Sequence, residues 1–173
     1  TVFISNEVDR LGMDCNEAGW IIGLAMECYE KGVITSSDTD QLELNWGNHE
    51  AANEMLHRIA RRKGFGDVLA EGAMRAAQRI GGDAVNFAIH TMKGNTPRGH
   101  DHRIRWPMLF DTSVADMSTD EGYSTLRPAD IGITADAPVL GPNHSEENTV
   151  AWNSQFKGAA QFEDCTGTCR FTT

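Results

Sequence analysis

Two short stretches near opposite ends of the chain hold the residue types with the most chemical reach. One runs Asp9-Arg10-Leu11-Gly12-Met13-Asp14-Cys15 and the other Asp164-Cys165-Thr166-Gly167-Thr168-Cys169-Arg170. Both read Asp-x-x-Gly-x-(Asp or Cys)-x in the same register, and each follows a helical pattern. The spacing predicts a carboxylate in a helix's last turn, then a glycine able to take positive φ, then a second functional side chain just past the turn. Two such turns brought together would hold a large polar ligand from opposite sides, each aspartate accepting from ring or amine N–H groups. Each is equally an ordinary helix C-cap, since aspartate and glycine are common turn residues.

The elements that must position these turns are helical. Asp14 to Glu17 has the form of a capping box, and the helix behind it should run to about Lys31 and stop at Gly32. Trp20, Ile21, Ile22, Leu24, Ala25, Met26 and Tyr29 cover most of its faces, which predicts a central, buried helix. Within it Cys28 reads as a small core hydrophobe. Thr35 to Leu44 reads as a polar linker. Asn48 should cap a second helix, with Arg61, Arg62 and Lys63 in its last turn and Gly64 ending it. A third is expected from about Asp67 to Ile80, stopped by Gly81-Gly82. All five prolines fall between Asn95 and Asn148, a span read as mostly loop with short helical pieces. A last helix is expected from about Glu147 to Phe162.

Composition narrows the function. With 15 Lys+Arg against 25 Asp+Glu among 173 residues, the net charge is −10, which argues against nucleic acid as a partner. Trp20 to Met26 falls far short of the roughly 20 apolar residues that a membrane-spanning helix needs. The four cysteines are too sparse for a secreted disulfide scaffold, so a cytoplasmic location is expected. The chain starts at Thr1 and stops after Thr173, which reads as a piece of a longer protein. His100-Asp101-His102 suits a zinc loop only poorly, because two histidines and a carboxylate so close in sequence rarely form a tetrahedral set.

The two Asp-x-x-Gly segments resemble the paired pterin-binding motifs of the tungsten-containing aldehyde:ferredoxin oxidoreductase family. The resemblance continues through Leu24 to Gly32, Trp46-Gly47-Asn48, Lys63 to Gly72, Met92-Lys93-Gly94 and Cys169 to Thr173, and fades between Arg105 and Ser154. It implies an all-α fold of orthogonal, bundle-like helical domains with long loops. Residues 1–94 would carry the first motif; residues 95–173 would hold a loop-rich region and the second. The family's N-terminal β domain and its closely spaced cysteine trio have no counterpart here. By position, Asp9 and Asp164 would each bind one pterin of a tungsten bis-pterin cofactor. Gly12, Asp14, Gly167 and Thr168 would lie along the same cofactor, with magnesium between the pterin phosphates. Cys169 would be the isolated fourth ligand of a 4Fe–4S cluster, leaving Cys165 as a structural neighbour.

Two departures from the aldehyde-oxidising pattern bear on the reaction. Cys15 stands where those members have threonine. A thiol at a helix start should have its pKa lowered by the helix dipole, and its thiolate would suit a metal already ligated by sulfur. The tungsten subunit of class II benzoyl-CoA reductases has such a cysteine. Thr119 stands where a proton-transferring histidine is expected. The resemblance therefore implies a catalytic subunit that reduces the ring of benzoyl-CoA or a related aryl-CoA to a cyclic diene, with an iron–sulfur electron-transfer subunit as partner. Arg98, Arg103 and Arg105 would then offset cofactor or coenzyme A phosphates. The alternatives are an aldehyde or hydroxycarboxylate oxidoreductase with the same cofactors, and a helical scaffold with no catalysis.

Overall fold

The computed structural model describes residues 2–97, 106–114 and 145–167. It divides into two compact units, Thr1–Pro97 and Arg98–Thr173. The fold is all-α, and no strand occurs among the described residues. The first unit contains α1 (Val2–Arg10), α2 (Cys15–Glu30), α3 (His49–Ala60), α4 (Phe65–Leu69), α5 (Ala73–Ile80) and α6 (Ala84–Phe87). In the second, α7 (Trp106–Val114) packs against α8 (Glu146–Cys165).

Helix α2 is the axis of the first unit, as its apolar surface requires, and it touches α1, α3, α5 and α6. Ala25 and Cys28 of α2, Leu44, Met55 of α3 and Ala76 of α5 are fully buried around it. Truncating Met55 to alanine there should cost about 2–5 kcal/mol, because a close-packed core cannot collapse onto the void. Burial raises the Cys28 thiol pKa to about 11, as befits a packing residue. Both ends of α2 are set locally. The Asp14 carboxylate accepts from the Glu17 N–H at 2.8 Å, and Gly32 takes φ 70° just past the C-cap.

Several expectations need correction. Thr35 to Leu44 is not a linker: Thr39 and Leu44 are fully buried, and the Thr39 hydroxyl donates to the Leu42 carbonyl at 2.6 Å. Its polar residues serve turn hydrogen bonds rather than solvation. Arg61, Arg62 and Lys63 lie beyond the last residue of α3. Arg62 turns at φ 49° and reaches Asp67 and Glu71, each at 2.8 Å, so it ties α4 and the turn after it instead of serving the α3 dipole. The single helix from Asp67 to Ile80 is two, broken at Gly72 with φ 82°. This break lets α4 cross close over α3, where a side chain at Gly66 would collide with the Arg58 backbone. Helix α6 was not foreseen. Helix α8 is longer than expected and carries on to Cys165, the second residue of the second motif.

Candidate functional site

The first motif is built by the end of α1 and the start of α2. Past Arg10 the Gly12 N–H donates to the Asp9 carbonyl and the Met13 N–H to the Val8 carbonyl, at 3.0 and 3.1 Å. This is a Schellman ending, with Gly12 left-handed at φ 71°. Buried Val8 and partly buried Met13 belong to one apolar cluster with Ala18 and Leu56, as such endings favour. Asp14 then caps α2 and Cys15 is its first residue. The turn therefore presents Asp9, Asp14 and Cys15, all exposed, at one corner.

Within that corner the Cys15 thiol lies 3.5 Å from Asp9 Oδ1 and 3.9 Å from the Ser5 carbonyl, donating to both. The expected lowering of its pKa is not what the structure gives. Partial desolvation, the hydrogen bond to Asp9 and the negative charges of Asp9 and Asp14 push it up. Desolvation, together with the Asp9 and Asp14 carboxylates, sets the direction despite the place of Cys15 at a helix N-terminus. The capping box is also only half made. Glu17 does not reach back to Asp14 but accepts from the Thr96 N–H at 2.8 Å and the Thr96 hydroxyl at 2.7 Å. Asn16 donates to the same hydroxyl at 3.2 Å, so buried Thr96 is tied to the first turn of α2.

The second motif has the same register. Helix α8 ends at Cys165, one residue after Asp164, as α1 ends at Arg10, one residue after Asp9. Gly167 takes φ 73°, matching Gly12. Cys165 is an exposed free thiol. Thr168, Cys169, the arginines at 98, 103 and 105, the His100 loop and Thr119 lie outside the described residues. His57 is half-buried, its Nε2 3.4 Å from the Glu7 carboxylate.

No three His, Cys, Asp or Glu side chains converge on a point among the described residues. A metal held chiefly by the sulfurs of its own pterins asks the protein for little more than one soft donor. Cys15, exposed beside an acceptor carboxylate, fits that requirement. A half-open cavity of about 400 Å³ begins at Cys15 and runs along α2. The sequence reading missed it, though Gly19 and Gly23, four residues apart on α2, are its signal there.

The family described as "Aldehyde ferredoxin oxidoreductase, domains 2 & 3" matches residues 2–173. A tungsten-containing aldehyde ferredoxin oxidoreductase of Thermococcus kodakarensis is 34% identical over 98% of this chain and 27% of its own length. The WOR-like subunit of an aliphatic sulfonate oxidoreductase of Pyrococcus furiosus is 39% identical over 66% of the chain and 19% of its own length. A tungsten-containing aldehyde ferredoxin oxidoreductase of Pyrococcus abyssi is 42% identical over 53% and 16%. The chain thus spans at most about a quarter of these relatives. Their names specify aldehydes or aliphatic sulfonates; none specifies an aryl thioester. No helix among the described residues is long and apolar enough to cross a membrane.

Proposed function

The chain belongs to the aldehyde ferredoxin oxidoreductase family, and from that premise we propose that the whole protein is a tungsten-pterin, iron–sulfur oxidoreductase acting on aldehydes. The reaction converts an aldehyde and water to a carboxylate, releasing two electrons to an iron–sulfur acceptor and three protons to solvent. When bound, the tungsten cofactor supplies the two-electron chemistry and the cluster carries electrons away one at a time. This chain's residues hold and orient the cofactors. Asp9 and Asp164 would each accept from one pterin, the left-handed Gly12 and Gly167 would leave the backbone beside it unobstructed, and Asp14 fixes the start of α2. Cys15, in place of the threonine of aldehyde-oxidising members, would offer tungsten one soft donor, and Cys169 would be the isolated cluster ligand. Cys15 would ligate as its thiolate, and without the S–H donor the Asp9 carboxylate would be free to accept from a pterin N–H.

The observation that carries this reading is the match over residues 2–173 joined to two motifs that end their helices in the same register at φ 71° and 73°. The relatives' names favour aldehydes over the benzoyl-CoA reaction. The aryl-CoA reading keeps one specific support, the Cys15 thiol beside the first turn. Both are tested on the full-length enzyme. Metal analysis should find tungsten and iron, and the enzyme with a viologen dye should turn over benzaldehyde and leave benzoyl-CoA and its cyclic diene untouched. Thioester activity without aldehyde activity would replace the first reading with the second. Absence of both metals would remove both.

A further inference from the structure

The cavity that starts at Cys15 has the form of a binding groove. Cys15, Gly19, Gly23 and Glu27 recur every fourth residue, so they form one slowly turning row along α2, spanning about 18 Å of helix axis. Among the described residues an added Cβ would meet nothing within 4 Å at Gly19, and at Gly23 only the Trp46 ring at 3.9 Å. The glycines therefore leave open space and form an apolar floor. Trp20 of α2 and Phe87 of α6 wall it. Its far end carries half-buried Glu27, whose carboxylate has no ion-pair or hydrogen-bond partner among the described residues.

We infer that this groove binds the neutral, apolar tail of the aldehyde substrate, with the reacting carbonyl toward Cys15, and that Glu27 excludes tails ending in an anion. The inference rests on the oxidoreductase reading for the orientation alone. Flat aromatic walls and a glycine floor favour an alkyl chain or an aryl ring. A half-buried carboxylate with no partner among the described residues disfavours a second negative charge beside it.

The test uses the full-length, cofactor-loaded enzyme and the variants Gly19→Leu, Gly23→Leu and Glu27→Gln. Leucine is the better helix former, so both glycine variants should retain α2, checked by circular dichroism. For each of them kcat/KM for hexanal relative to acetaldehyde should fall about tenfold or more. For Glu27→Gln, kcat/KM for 6-oxohexanoate relative to hexanal should rise about tenfold. A second measurement, free of turnover, is calorimetric binding of hexanamide, which should weaken in Gly23→Leu. If the parent oxidises no aldehyde, the oxidoreductase reading fails and hexanamide binding alone decides the groove. Ratios that stay within about twofold, or hexanamide affinity that is equal or absent in parent and variant, overturn it.

Discussion

The chain segments after α1 and after α8 share a helix end and a left-handed glycine but carry different side chains. In both, the aspartate sits one residue before the helix ends, and a glycine two residues past that end turns left-handed. What differs is the side chains that follow. The first turn places Asp14 at an N-cap, so Cys15, six residues after Asp9, starts a new helix. In the second, a cysteine already stands five residues after Asp164, at the position Asp14 has in the first. The same left-handed glycine is therefore followed by cysteines that are one residue out of step in the two motifs. On the reading proposed here, the thiol goes to tungsten in the first case and to the cluster in the second.

The sharpest way to break this comparison is to remove the thiols in turn. Cys169→Ala should lose cluster iron and abolish electron delivery to dye, while Cys165→Ala, at an exposed thiol on the last residue of α8, should keep its iron content. Equal iron in both would mean that the offset cysteine has no special role. Next in size is Cys15→Ser. It should retain the pterins, lower the sulfur count around tungsten by one in X-ray absorption, and slow turnover by about a hundredfold. An unchanged absorption spectrum would return Cys15 to a packing role.

What could be read from the sequence follows what is decided locally. Asp14 and Gly32 bracket α2 by neighbouring hydrogen bonds and a positive φ, so its ends were legible. The break at Gly72 was not, because the alanines around it are good helix formers and the turn answers to packing of α4 on α3. Glu17 misled for a related reason. The pattern allows a capping box, but Thr96, 79 residues away, offers two donors instead of one. The Cys15 thiol shows the same limit: helix position is visible in sequence, whereas the approach of Asp9 depends on the angle between α1 and α2.

A milder test asks whether the two turns are equally strained. Among the described residues neither Gly12 nor Gly167 has an atom within 4 Å of an added Cβ, so alanine there should cost only the left-handed backbone, about 1–2 kcal/mol each. Gly12→Ala and Gly167→Ala should then lower the thermal midpoint of the full-length enzyme by similar amounts. A much larger fall for one would show that its glycine also admits a close neighbour, such as a cofactor, and would make that turn the tighter half of the site.

The smallest expected effect concerns what braces the first turn. Glu17 follows Cys15 by two residues in the first turn of α2, and its Oε1 takes both donors of buried Thr96. Glu17→Gln keeps an acceptor oxygen but removes the charge that strengthens both bonds, at a cost of about 1 kcal/mol. Because Asn16 also holds the Thr96 hydroxyl, the segment should stay docked and the loss should appear as faster amide exchange around Thr96 rather than as unfolding. In Glu17→Ala the Thr96 N–H would be left buried without a partner, and the loss should reach about 2–3 kcal/mol. If the two substitutions cost the same, charge contributes nothing and hydrogen-bond geometry alone holds Thr96 to α2. A Glu17→Gln variant that also shifted the tungsten absorption would show that this brace sets the position of Cys15, through the single helical turn they share.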